Sequence, residues 1–190
     1  MEFLYARQRS PDGNADAVRM AAEFVGGDSF VVGFGDTIVH SPHNPGVIGR
    51  MIESHQQQGA AATIGVWEVP RQETNKYGVV CPERSNDVGE NFLITDIVEK
   101  PDPDVAPSGL AVAARYVFTP AIFSAIDAIE PGLGGELWLT DAIRILLERG
   151  EDVRCVRLRA DEKRYDVGTP LTYYRAFMDL SLIHISEPTR

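Results

Sequence analysis

With 190 residues, 44% of them hydrophobic and 24% charged, the chain has the size and composition of one globular domain with a substantial core, not of a disordered protein. A net charge of −10 argues against a nucleic-acid polymer as partner, since that requires a basic face, but not against a nucleotide held through a divalent cation. Cys81 and Cys155 have neither disulfide nor zinc spacing, no apolar run is long enough to span a bilayer, and Met1 to Arg7 lacks a signal-peptide layout; a soluble protein of the reducing cytoplasm is expected.

In chain order, Tyr5 to Gln8 reads as the end of a strand, and Arg9 to Gly13 as a turn. Ala15 to Val25 carries Ala17, Val18, Ala21, Ala22 and Val25 at helical spacing, and Gly26-Gly27 supplies a stop. Phe30-Val31-Val32 predicts a buried central strand that runs through Gly33-Phe34-Gly35 and delivers the carboxylate of Asp36 at its end. Ligands of open parallel sheets collect beyond the carboxyl ends of strands, so Asp36 is placed to hold a metal over a phosphate; Gly35-Asp36-Thr37 also fits an ordinary turn. His40 and His43 lie in a proline-broken loop that does not suit a metal site.

Pro45 to Gln58 predicts an amphipathic helix with Val47, Ile48, Met51, Ile52 and His55 inward and Gly59 as cap. Strands are expected at Ala61–Val69, Tyr77–Val80, Asn91–Lys100 and Leu110–Phe118, the last buried on both faces. Gly78 would let a ligand approach the backbone, and Glu99-Lys100-Pro101 ends the third of these strands. Thr119-Pro120 starts a helix with Ile122, Phe123, Ile126 and Ile129 buried; Gly134-Gly135-Glu136 is a loop; and a helix capped by Thr140 follows, with Ala142, Ile143, Leu146 and Leu147 inward. After a strand at Val153–Leu158, Arg164-Tyr165-Asp166-Val167-Gly168 turns into a helix begun by Thr169-Pro170 and running to Leu180, so a second carboxylate lies between a strand and a helix.

The alternation of strands and helices specifies an α/β fold with a mostly parallel twisted sheet flanked by helices. Neither G-x-x-x-x-G-K-[ST] nor the dinucleotide glycine spacing is present, which disfavours a plain kinase or dehydrogenase. Asp36, Asp166, Glu99, Lys100 and Gly78 together make a set suited to placing phosphates with a metal and gripping a polyol. Singly, Glu99-Lys100 also fits a solvated strand end, and Asp166 a residue favoured by a helix dipole.

Gln8-x-x-Pro11-x-Gly13, Gly35-Asp36, Tyr77-Gly78-Val79-Val80, Glu99-Lys100-Pro101, Gly135-Glu136-Leu137-x-Leu139-Thr140-Asp141-Ala142 and Tyr165-Asp166-x-Gly168 follow the order seen in the sugar-phosphate nucleotidyltransferases. From about Tyr5 to Leu180 the chain resembles that family, and within it the bacterial branch acting on UTP and glucose 1-phosphate. The resemblance implies a Rossmann-like nucleotidyltransferase fold with Gln8 and Gly13 near the uracil, Asp36 and Asp166 as ligands of Mg2+, and Lys100 on the sugar phosphate. Gly78 and Glu99 would hold glucose hydroxyls, Glu136 would line the same pocket, and a homo-oligomer is expected of the full-length protein.

Several features depart from the family. Ser10 to Ala17 replaces the usual Pro-Leu-Gly-Leu-Gly-His-Ala, and Ala114 stands where glycine is common. The glycine-rich loop Gly-x-Gly-Thr-Arg is not found, so residues 1–180 are expected to be the C-terminal part of a nucleotidyltransferase domain, N-terminally truncated and inactive as given. Leu180 to Arg190 resembles a translated transposase adapter from sequencing-library preparation, and residues 181–190 are expected to be a non-native tail. The activity implied is uridylyl transfer from UTP to glucose 1-phosphate. Alternatives are thymidylyl or guanylyl transfer to another sugar 1-phosphate, a metal-dependent glycosyltransferase, and a non-catalytic domain of the same shape; a lysine for a free sugar phosphate has no use in the glycosyltransferase.

Overall fold

In a computed structural model, residues 3–84, 88–132 and 135–186 are described. Gly134, part of the expected glycine loop, and residues 187–190 of the expected tail lie outside them. Six strands form one sheet in the order β1 (Phe30–Gly33), β6 (Leu110–Phe118), β3 (Ala62–Glu68), β7 (Val153–Arg157), β5 (Asn91–Glu99), β4 (Gly78–Pro82). A separate antiparallel ribbon joins β2 (Thr37–His40) to β8 (Lys163–Asp166).

Helices cover both faces of the sheet. On one side α1 (Asn14–Arg19), α4 (Ala121–Ile126) and α5 (Leu139–Glu148) bury Val18, Ile122, Ile126, Ile143 and Leu146 against Ile64, Tyr116 and Phe118. On the other, Val47 and Met51 of α3 (Val47–Gln58) pack on Ala113, Val117 and Val156. Successive β6 residues thus feed opposite layers, as the two-residue period of a strand requires, and β6 is buried on both faces as expected. Each fully buried Ile or Leu contributes about 1.5–3 kcal/mol relative to exposure.

The α/β class holds, but the sheet is mixed rather than mostly parallel. Among the described residues only β3 and β7 pair in parallel, and every other paired strand runs antiparallel. Parallel neighbours need a crossover, usually helical, whereas β4, β5 and β6 follow one another with no helix between them among the described residues. β1 is correspondingly an edge strand with alternating burial, not a buried central one.

Local differences have local causes. Residues 3–8 form no strand. The helix expected over Ala15–Val25 is broken at Met20-Ala21 into α1 and a single turn, α2 (Ala22–Val25). Ile48 of α3 faces solvent, while Ser54 takes a buried position. Gly59 closes α3 in the left-handed conformation, its N–H bonding the His55 carbonyl at 3.0 Å. Trp138, not Thr140, is the N-cap of α5, and Thr140 points into the molecule from the first turn.

The last helix, α6 (Pro170–Ser186), runs past Leu180, since neither glycine nor proline interrupts the chain before Pro188. Its start is fixed by a reciprocal pair: the Thr172 N–H donates to Thr169 Oγ1 at 3.2 Å, and the Thr169 N–H to Thr172 Oγ1 at 3.1 Å. Among the described residues no helix is long and apolar enough to cross a membrane.

Candidate active site

Part of the sequence motifs meets at a cavity of about 230 Å3 whose walls include Asp36, Gly78, Glu99, Trp138, Thr140 and Arg164. A larger cleft of about 580 Å3 beside Trp67 holds charges already matched to one another: Arg157 pairs with Glu68, Arg159 with Glu90 and Glu162 with Arg50. The smaller cavity brings Asp36, Glu99, Thr140 and Arg164 together.

Asp36 leaves β1 on the Gly33-Phe34-Gly35 turn. Arg115 of β6 clamps that turn, donating from Nη1 to the Phe34 carbonyl at 3.3 Å and from Nη2 to the Thr37 carbonyl. Asp166 ends β8 directly opposite Thr37, and the Val167 N–H donates to the Asp36 carbonyl at 2.7 Å, so the β2–β8 ribbon sets the two aspartates side by side. Asp166 Oδ1 accepts from the Gly168 N–H at 2.9 Å, and both aspartates are solvent-exposed. Among the described residues no group of three or more His, Cys, Asp or Glu is gathered to cage a metal. Two exposed carboxylates with oxygens free for solvent nevertheless suit Mg2+, which takes one or two carboxylates and completes its shell with water and phosphate oxygens.

Glu99 and Gly78 face each other across β5 and β4. Burial pushes the Glu99 carboxyl up, against the opposing effects of a 3.1 Å hydrogen bond from Thr140 Oγ1 and of the Lys100 ammonium. A Cβ on Gly78 would stand 2.9 Å from the Thr140 methyl and 3.2 Å from Glu99 Oε2, so glycine keeps this wall open. Lys100 turns out of the strand with φ 45°, its N–H bonded to the Tyr77 carbonyl at 3.0 Å. Its Nζ lies 3.9 Å from Glu99 Oε1 and 4.3 Å from the centre of the Trp138 ring.

Gln8 and Gly13 are tied together beside this cavity without lining it. Gln8 Nε2 donates to the Gly13 carbonyl at 3.1 Å and to Asp16 Oδ2 at 2.8 Å. Gly13 has φ 107°, and a Cβ there would stand 2.6 Å from the Leu137 nitrogen. Close approach follows from the ladder between the two segments, in which the Leu137 N–H donates to the Asp12 carbonyl at 2.8 Å and the Ala15 N–H to the Leu137 carbonyl at 3.0 Å. Glu136 is half-buried just before that ladder, and the residues of its motif that form cavity wall are Trp138, Leu139 and Thr140.

Sequence reasoning passed over Arg115, Arg164, Trp138 and Asn14. Arg164, whose side chain is 8% exposed, lies 5.4 Å from the Trp67 ring and 5.2 Å from the Tyr77 ring, donates to Thr37 Oγ1 at 3.2 Å and sits 4.0 Å from Asp166 Oδ2. A signal for Arg115 existed, since an arginine inside an otherwise apolar run demands partners. Asn14 acts through a long-range bond, accepting the Leu139 N–H at 2.7 Å, which no local pattern announces.

The carboxylates of Asp36 and Asp166, the Arg164 guanidinium and the Lys100 ammonium can together neutralise and align phosphates. Residues 1–182 match the nucleotidyl transferase family. The chain is 38% identical over 181 residues to the UTP–glucose-1-phosphate uridylyltransferase of Bacillus subtilis (strain 168), covering 95% of this chain and 59% of that protein. It is 34% identical over 174 residues to the enzyme of that name from Pseudomonas aeruginosa, covering 92% of this chain and 60% of that protein. The chain thus spans 59% to 60% of the length of these relatives. A UDP-glucose pyrophosphorylase complexed with UDP-glucose superposes with a TM-score of 0.85 at 31% identity, over 94% of this chain and 66% of that one. UTP-bound UGPase from Acinetobacter baumannii superposes with 0.82 at 32% identity, over 94% and 60%. The mixed sheet between helical layers and these likenesses agree: the chain belongs to the nucleotidyl transferase family.

Proposed function

We propose that this chain carries the sugar-phosphate side and the carboxylate pair of a site that transfers a uridylyl group from UTP to glucose 1-phosphate, giving UDP-glucose and pyrophosphate. The observation that carries the reading is the meeting of Asp36, Gly78 and Glu99 in one cavity, with the Lys100 ammonium 3.9 Å from Glu99. The likeness to uridylyltransferases and to a neighbour complexed with UDP-glucose supports this choice of substrates.

A phosphate oxygen of glucose 1-phosphate attacks the α-phosphorus of UTP. A new P–O bond forms, the bond to the bridging oxygen of the β-phosphate breaks, and its electron pair leaves on pyrophosphate. Two unit negative charges meeting at about 4 Å repel by about 4 kcal/mol at an effective dielectric of 20, so positioning and charge neutralisation dominate. Lys100 takes the sugar phosphate. Glu99, oriented by Thr140, accepts hexose hydroxyls, and the open wall at Gly78 lets the ring approach the backbone. Asp36 and Asp166 would hold Mg2+, which supplies positive charge beside the phosphates when bound. Arg164 offsets the two carboxylates from behind, and the uracil lies toward Gln8, Gly13 and Asn14. Two free cysteines are consistent with a cytoplasmic setting, which we infer for these substrates.

Isothermal titration of the chain with glucose 1-phosphate and with UDP-glucose, in the presence of magnesium, tests the reading. Both are expected to bind, and Lys100→Met is expected to weaken glucose 1-phosphate about tenfold, the worth of one charge-assisted contact. Unchanged affinity in Lys100→Met refutes the assignment of the phosphate.

A further inference from the structure

Trp138 touches Lys100 from a fixed position. Its carbonyl caps α5, accepting the Asp141 N–H at 3.1 Å and the Ala142 N–H at 3.4 Å. Its neighbours on both sides are tied to the Gly13–Ala15 segment, Leu137 through the Ala15 N–H at 3.0 Å and Leu139 through Asn14 Oδ1 at 2.7 Å. The indole is half-buried and forms part of the cavity wall.

Lys100 is otherwise a mobile group. Its side chain is 48% exposed, and a lysine held at one point loses much rotamer freedom. Here the stem is aimed by the left-handed backbone at φ 45°, and the ammonium rests 4.3 Å from the indole centre. Glu99 also attracts it, at 3.9 Å, but a carboxylate anchor alone would neutralise the charge that a phosphate needs. An aromatic face holds a cation through its quadrupole and leaves the net charge intact.

We propose that Trp138 is a positioning residue that holds the Lys100 ammonium where the phosphate of a sugar 1-phosphate arrives, and so favours the phosphorylated sugar over the free sugar. The proposal rests on the reading of Lys100 as the phosphate ligand. The lysine is ordered before the ligand comes, so less freedom is lost on binding.

The test compares glucose 1-phosphate with glucose by isothermal titration of the chain, using Trp138→Leu, Trp138→Phe, Lys100→Met and the double variant Trp138→Leu/Lys100→Met. Trp138→Leu is expected to weaken glucose 1-phosphate about fivefold more than it weakens glucose, while Trp138→Phe, still aromatic, restores most of that difference. In the Lys100→Met background Trp138→Leu is expected to cost nothing more, because the two residues act as one. The chain has two tryptophans, so a Trp67→Phe background isolates the Trp138 emission. That emission is expected to change on adding glucose 1-phosphate and to stay flat when Lys100→Met is added.

Trp138→Leu binding glucose 1-phosphate like the parent, losing glucose equally, or adding its full effect to Lys100→Met overturns the proposal. Lys100→Met weak with Trp138→Leu unchanged refutes the role of Trp138 alone. Lys100→Met binding like the parent, or a parent chain that binds no glucose 1-phosphate, refutes the phosphate reading itself and the proposal with it.

Discussion

Thr37 and Asp166 stand opposite each other in the β2–β8 ribbon, and through that pairing the loop carrying Asp36 is stitched to the strand carrying Asp166. The stitch is one hydrogen bond deeper than the ladder, because the Val167 N–H reaches the Asp36 carbonyl at 2.7 Å. Side-chain changes at either aspartate leave these backbone bonds in place. Asp36→Asn and Asp166→Asn should therefore fold normally and lose only oxygen charge. Each is expected to reduce magnesium-dependent affinity for UDP-glucose by about tenfold or more, while affinity measured without magnesium changes little. Titrations with and without the ion check this, and an undiminished magnesium effect in either variant removes that residue from the metal site.

Gly78 pairs with Glu99 across β4 and β5, so close that even one added carbon would crowd its neighbours. Gly78→Ala puts a methyl group 2.9 Å from the Thr140 methyl and 3.2 Å from Glu99 Oε2, so the 3.1 Å bond between Thr140 and Glu99 must lengthen. We expect glucose 1-phosphate to bind about tenfold more weakly, with inorganic phosphate unaffected, since the loss falls on the hexose and not on Lys100. Equal losses for both ligands would point to collapse of the cavity instead, and parent-like affinity for the sugar phosphate would rule out a hexose at this wall.

Much of this arrangement was legible in the sequence because short local patterns carry it. Apolar spacing marked α3 and α5, and the unbroken apolar run of β6 announced burial on both faces. Asp36, Gly78, Glu99 and Lys100 stood out as charged or glycine residues at strand ends. Strand direction did not, since period-two alternation is the same in parallel and antiparallel neighbours, and the β4–β5–β6 succession reverses the expectation drawn from βαβ alternation. The partners made by folding were equally silent: Arg115 finds acceptors on both sides of Asp36, at Phe34 and Thr37, and Asn14 finds its donor at the start of α5.

Ala114 illustrates a residue whose oddity in sequence has a backbone cause. It sits in β6 at φ 55°, where the register against β3 shifts between Ile64 and Val66. A left-handed backbone costs an L-residue about 1–2 kcal/mol, which explains why glycine suits this position. Ala114→Gly removes that strain while giving up a methyl group worth about 0.8 kcal/mol and adding unfolded-chain entropy. The expected net change in stability is within about 0.5 kcal/mol of zero. At Ala113, fully buried with an ordinary backbone, the same substitution should cost about 1.5 kcal/mol, the methyl and entropy losses without the relief. Urea unfolding of the two variants side by side decides it, and equal losses at both positions would mean that Ala114 is unstrained.

Glu162 precedes β8 and fastens the ribbon that holds both aspartates. Its side chain is fully buried and accepts from Ser41 Oγ at 2.6 Å, Arg50 Nη1 at 2.7 Å, Arg50 Nη2 at 2.8 Å and the Arg159 N–H at 2.8 Å. Burial alone would push the carboxyl up, but these donors and the Arg50 charge outweigh it and hold the group down at about 2. A carboxyl lowered on folding stabilises the protein above its unfolded value, and that stabilisation is lost as pH falls toward the folded value. At neutral pH the contribution is about 3 kcal/mol, and Glu162→Gln, which leaves Arg50 buried without its counter-charge, should cost about 3–5 kcal/mol. The gap between parent and variant is expected to stay constant from pH 8 to about pH 5 and to narrow steadily below that, toward pH 2. Denaturant unfolding across this range provides the measurement. A gap that does not narrow in acid would show that Glu162 is not held ionised by Arg50. A variant as stable as the parent at neutral pH would show that the ribbon keeps its place without this ion pair.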